Sequence, residues 1–183
     1  SRSMDLPAVL ETVKSVAAHE FLHILSPLNL HSEEIAHFDF YETELSEHLW
    51  LYEGVTEYLS IKSRLIGELT TMEDFTSEMN GKIDAANGYK TSSFTEMSKK
   101  ITEPEFAKEY GNVYQKGALI AMMLDIKIAE HTNGAKDLID LVLELIEDFG
   151  IEKPFKDSEI IDIITQKTSP EIGAFFDKYV IGA

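Results

Sequence analysis

The chain contains no cysteine. That excludes disulfides, thiolate zinc sites, iron–sulfur clusters and a cysteine nucleophile. It does not fix a compartment, because secreted proteins also do without cysteine. Positive charge is scarce: 16 Lys and Arg stand against 33 Asp and Glu, a formal net of −17. Such a balance argues against nucleic-acid binding by phosphate neutralisation and against docking on an anionic membrane. No apolar run reaches the ~18 residues that span a bilayer. No signal-peptide pattern is visible, so localisation stays unknown. There is also no defensible strand signal, no internal repeat, no low-complexity tract and no mark of a domain boundary.

What remains is 183 residues of ordinary globular composition, 44% hydrophobic and 27% charged. That is one domain, with enough chain to bury a core. The periodicity predicts an all-α bundle of about seven helices. The first starts at Asp5 and Pro7, carries Leu6, Val9, Leu10, Val13, Val16 and Ala17 at helical spacing, and closes at Pro27. Residues 27–44 read as a long ordered loop anchored by Phe38, Phe40 and Tyr41. A second helix over 46–67 is apolar on most sides and is expected to be central. Thr70 and Thr71 before Glu73 and Asp74 form a capping box for a third helix, ending near Asn87 and Gly88. Residues 88–104 read as another loop. A fourth helix over 106–131 has an inner stripe of Val113, Gly117, Ile120, Ala121, Leu124 and Ile128. A fifth covers 136–149, a sixth opens at Asp157 or Ser158, and Ser169-Pro170 opens a seventh with Phe175 and Phe176 inward.

The first helix contains His19-Glu20-Phe21-Leu22-His23. Histidines at i and i+4 stand one turn apart on one face, where a single zinc can take both imidazoles. Glu20 is rotated by ~100° from His19, beside the metal position rather than on it. There it can act as a general base. Two histidines on a surface helix would carry no chemistry. His19 and His23, however, continue the stripe of Val13, Val16 and Ala17, expected to face inward, and polar groups there are costly unless partnered.

A catalytic zinc takes three protein ligands and keeps a position for water. Glu53 sits among Leu49, Trp50 and Thr56 on the central helix, where an unpaired carboxylate is expensive. Gly54 beside it costs ~1 kcal/mol relative to Ala in a helix. Close approach of another backbone to the metal helix would explain it. Glu57 lies one turn after Glu53 and reads either as a hydrogen-bond partner for a ligand histidine or as a solvated carboxylate. His48 is ~140° around the helix from Glu53, a poor co-ligand. His31, His37 and His131 read as loop or surface residues. Tyr114, taken alone, reads as a core tyrosine with a satisfied hydroxyl. Lys116 reads as a surface cation, and Gly117 as a close helix contact.

Four segments in order, AAHEFLH, LWLYEGVTEYLS, YQKGALIAMMLD and FFDKYVIGA, resemble the glycyl-aminopeptidase family, family 61 of the metallopeptidases. The arrangement of His19, Glu20 and His23 with Glu53 on the next helix is that of the gluzincins. The resemblance runs from about Val13 to the C-terminus. It implies one zinc ion per chain and peptide-bond hydrolysis, as an aminopeptidase. It implies that Tyr114, at the matching Tyr-x-Lys-Gly position, donates to the developing oxyanion. It further implies a fold like the helical part of a thermolysin-like catalytic domain, with the upstream β segment absent. Residues 1–183 are then the C-terminal portion of that domain, excised from a longer chain with an N-terminal β domain and a PDZ-like domain. Peptide is the expected substrate, with neither nucleic acid nor membrane as partner. Two other readings stay open: an inactive metal- or peptide-binding domain, and a helical interaction module with a chance motif.

Overall fold

The computed structural model describes residues 6–90 and 92–182. Asp5, expected to start the first helix, and Ala183, the last residue of the fourth family-like segment, lie outside them. Nine α-helices and no strand are present among the described residues. They are α1 (Leu6–Leu22), α2 (Glu33–Ala36), α3 (Val55–Ile66), α4 (Met72–Ala86), α5 (Phe94–Lys100), α6 (Asn112–His131), α7 (Leu138–Asp148), α8 (Asp157–Lys167) and α9 (Pro170–Phe176). The two short helices α2 and α5 lie in segments read as loops, which accounts for the difference from about seven. Ser93 caps α5 by accepting from the Glu96 N–H, and Phe94 and Met97 bury one face of it.

The long helix α6, buried or half-buried over most of its length, is the axis of the bundle. Val113, Gly117, Ile120, Ala121, Leu124 and Ile128 are buried, the stripe that the spacing predicts. Against it pack α3, α4, α7 and α9. The expected capping box on α4 is formed by Thr71 and Asp74. A second one, Asp137 with Asp140, starts α7. Gly150, at φ +68°, takes the left-handed conformation just past the end of α7.

The central helix does not run uninterrupted from 46. Trp50–Gly54 form a π turn, with the Val55 N–H bonded to Trp50 O, and α3 follows directly. Its aromatic side chains anchor it. Trp50 is fully buried, donates from Nε1 to His48 Nδ1 (3.1 Å) and packs on Phe176. The Tyr52 hydroxyl accepts from the Ser32 N–H (3.1 Å). The residues before the turn are tied to the start of α8: Ser46 Oγ and the Glu47 N–H both donate to the Asp157 carboxylate. His48 pairs with Asp157 O through Nε2, a structural use of that histidine.

Gly54 and Gly117 explain how α6 reaches this turn. A Cβ on Gly54 would lie 2.5 Å from Gly117 C, so two backbones touch where neither tolerates a side chain. The close approach expected at Gly54 is therefore made by α6, not by the helix that carries the histidines.

Two further expectations are corrected. α1 does not bury the stripe of Val13, Val16 and Ala17. Val13 is 57% and Val16 53% exposed, and His19 is the one buried residue of this helix. The loop over 27–44 is not anchored by its aromatics, since Phe40 is 87% and Tyr41 99% exposed. Leu30, His31 and Ser32 are its buried anchor. There the Glu33 N–H donates to Phe155 O, and the Phe155 N–H to His31 O.

Candidate metal centre

α1 packs across α3, which brings its C-terminal end over the π turn. His19 is the buried point of that contact, and His23 follows in the first turn beyond the helix. The ligand atoms of His19, His23 and Glu53 all lie within 4.8 Å of one another. Glu53 Oε2 is 3.3 Å from His19 Nε2 and 3.8 Å from His23 Nε2. The two imidazoles meet edge to face, 4.8 Å between centroids.

The outer nitrogens settle which atoms face inward. His19 Nδ1 is 2.8 Å from Glu57 Oε2. His23 Nδ1 is 2.9 Å from the Ser26 carbonyl. These bonds leave both Nε2 atoms turned toward Glu53, and in the neutral rings Nδ1 carries the proton and each Nε2 offers a lone pair. Thr56 Oγ1 also donates to Ser26 O, at 3.4 Å, which ties the His23 turn to α3. Glu57 is thus a partner of His19, and not a solvated carboxylate.

Glu53 Oε2 is buried and has no hydrogen-bond partner. A buried carboxylate oxygen without a donor is expensive. It faces the Nε2 atoms of two histidines, and without a cation it is satisfied only when His19 takes up a second proton. A divalent cation satisfies all of them, and two nitrogens with one carboxylate oxygen are a donor set that zinc accepts. The electrostatics agree. The Glu53 carboxylate and then the hydrogen bond to Glu57 push the His19 imidazole up to about 9, against the burial that lowers it. Both carboxylates call for positive charge at this point. Burial acts to raise Glu57, but its bonds to His19 and Lys82 outweigh that and hold it below the usual range.

Glu20 is solvent-exposed on α1 beside His19. Tyr114, half-buried near the start of α6, places its ring 5.7 Å from that of His19. Its hydroxyl is 3.3 Å from that of Tyr110. Burial, Tyr110 and the negative charge of Glu53 all push the Tyr114 phenol up, so it keeps its proton. Lys116 is half-buried rather than on the surface, with Nζ 3.4 Å from Ser92 O, and burial lowers it. His31, His37, His48 and His131 stay out of the cluster. Sequence reasoning missed Lys82 and Tyr110. For Lys82 a signal was present: it continues the stripe of Phe75 and Met79 on α4, where a lysine is unusual without a partner.

This is a helical frame with a two-histidine, one-glutamate cluster set between its first helix and its central turn. The chain belongs to the M61 glycyl aminopeptidase family, a family of peptidases, which it matches over residues 12–120. That match takes in His19, Glu20, His23, Glu53, Glu57 and Tyr114 but not the C-terminal segment over 175–183. No curated protein matches the chain. Among solved structures it is similar to the aminopeptidase N family protein from Idiomarina loihiensis, at 22% identity and a TM-score of 0.82. The similarity covers 93% of this chain and 31% of that one. At that identity it shows a shared fold.

Proposed function

We propose that this chain is the helical portion of a catalytic domain that hydrolyses peptide bonds with one zinc ion, acting as an aminopeptidase within a longer protein. The observation that supports it most is the partnerless Glu53 Oε2, buried against the Nε2 atoms of two histidines. Held by His19, His23 and Glu53, zinc supplies a Lewis acid for the substrate carbonyl and makes water more acidic.

The remaining steps belong to the chain's own side chains. Glu20, exposed beside His19, takes a proton from the attacking water and returns it to the leaving nitrogen. Tyr114 is kept protonated and donates to the carbonyl oxygen as negative charge grows there. Glu57 holds the Nδ1–H of His19 and so fixes the ring.

The exposed apolar residues of α1, among them Leu6, Leu10 and Val13, fit a helix that further parts of the full-length protein cover. A β-rich segment and a PDZ-like domain are the parts that the family resemblance implies. They would supply the edge that aligns the peptide and the groups that hold its free amine. Residues 1–183 then form one folded portion of the catalytic domain.

Metal content decides the reading. Chelator-treated protein given zinc is expected to retain one equivalent, and His19→Ala and Glu53→Ala to retain none. At zinc 100-fold above its dissociation constant the fold gains about 2.7 kcal/mol, visible as a raised melting temperature. Wild-type protein that takes up no stoichiometric zinc sinks the proposal. In the full-length protein, Glu20→Gln keeps the metal and loses ~10²–10⁴ in turnover of aminoacyl substrates. Full turnover by that variant removes Glu20 from its role.

A further inference from the structure

Lys82 takes no part in the chemistry above, yet it is among the most enclosed charges in the protein, 7% exposed on α4. Lysine is almost never buried without a partner. Here Nζ is 2.6 Å from Glu57 Oε1 and 3.1 Å from the Tyr114 carbonyl oxygen. The other oxygen of the same carboxylate, Glu57 Oε2, is the one that meets His19 Nδ1 at 2.8 Å.

We propose that Lys82 is a positioning residue of the metal centre: it clamps one oxygen of Glu57 so that the other holds His19, and it ties the Tyr114 backbone to the same point. The inference rests on the metal site of the preceding section. A carboxylate bonded at only one oxygen can swing about its side-chain torsions. Bonded at both, from α4 and from α1, it is held, and the His19 ring is held with it. Because Lys82 also bonds Tyr114 O, the helix that carries the phenol and the helices that carry the ligands share one tether.

Two effects of Lys82 on metal affinity have opposite signs. As a cation it repels a divalent ion, so its removal would tighten binding. As a clamp it keeps Glu57 on His19, so its removal loosens binding. The clamp dominates. At 2.6 Å from Glu57 the ammonium is half of an ion pair, and the field of a pair falls off faster than that of a lone charge. Loss of a carboxylate partner behind a ligand histidine weakens metal binding ~10–100-fold.

The test measures zinc affinity by competition with a chromophoric chelator, using the whole chain. Lys82→Met is expected to bind zinc about tenfold or more weakly than wild type. Lys82→Arg, which keeps charge and donors, is expected to recover most of that loss. In a Glu57→Gln background the Lys82→Met change adds little, because it acts through Glu57. If Lys82→Met does not fold by circular dichroism, Lys82→Gln replaces it with the same expectation, being neutral and one bond shorter. Zinc affinity equal to or tighter than wild type in the folded variant overturns the clamp, even if its melting temperature falls. An equally large loss in the Glu57→Gln background overturns it too. Wild-type protein that binds no zinc overturns the metal site and the clamp together, whereas wild-type binding with an unaffected variant overturns the clamp alone.

Discussion

His19 sits between two carboxylates and uses both nitrogens, Nδ1 toward Glu57 and Nε2 toward Glu53. A histidine so placed is oriented twice over, and it is the one buried residue of a helix whose other side chains are exposed or half-buried. Tyr114 is a different case, since its hydroxyl meets that of another tyrosine, Tyr110. A phenol pushed up by burial and by Glu53 stays a donor through the whole neutral range. Tyr114→Phe removes that donor and leaves the ring packing. In the full-length protein it is expected to cost ~10²–10³ in kcat with little change in KM or zinc content. Steady-state kinetics check this; an unchanged kcat removes Tyr114 from the oxyanion. Placement was legible where it is local: helical periodicity sets His19 and His23 one turn apart with Glu20 rotated off their face. Glu53 showed itself because a carboxylate and a glycine on an apolar helix both ask for a reason. Lys82 shows locally only as a lysine in the Phe75–Met79 stripe, and the partner that accounts for it is 25 residues away in the chain.

At the scale of elements, the π turn over Trp50–Gly54 has no sequence signature. Gly54 apart, its residues are as helical as those of α3, and anchoring by Trp50 and Tyr52 is what holds the wider turn. The turn matters because Glu53 is in it, and π turns recur at functional sites. Gly54 decides whether α6 can approach. Helix propensity alone says that Gly54→Ala should stabilise by ~1 kcal/mol. The contact says otherwise, because the added Cβ would meet Gly117 C at 2.5 Å, a backbone atom that cannot step aside. Overpacking of this kind costs about 1–3 kcal/mol or more and outweighs the propensity. Urea unfolding of Gly54→Ala is expected to show a lower midpoint, and a higher one would contradict the close contact. The stripe on α1 misled for a related reason. Periodicity shows which face is apolar, but not whether this stretch of chain supplies the cover.

Across the whole molecule, a buried polar network joins three helices away from the His19–His23–Glu53 cluster. Asp125 on α6 accepts from Tyr58 (2.5 Å) and Lys62 (2.8 Å) of α3 and from the Leu138 N–H (2.8 Å) that opens α7. Lys62 also reaches Asp137, the N-cap of α7, at 2.9 Å. Burial acts to raise the Asp137 carboxyl, but Lys62 and the Asp140 and Ile139 N–H groups outweigh it and hold it below the usual range. The sign follows from linkage. A carboxyl depressed in the folded state contributes stability that is complete above its unfolded value, about 4, and is lost as pH falls through the folded value. Asp137→Asn keeps a good cap but loses the charge. It is expected to melt lower than wild type at pH 7, with the gap closing as the pH is lowered toward 3. A gap that stays constant with pH would place the effect in capping rather than in charge.

What the amino-acid order determined unaided is what repeats within a few residues: the helical class, the α4 capping box, the inner stripe of α6, and two histidines one turn apart. These depend on bonding and periodicity inside a single element. What only the tertiary structure decided is the company each residue keeps: Glu57 on His19, Lys82 on Glu57, Gly54 against Gly117, and an α1 stripe left in water. Those pairings join elements distant in the chain, and they are set by which faces can pack together, a choice that no short stretch of sequence contains.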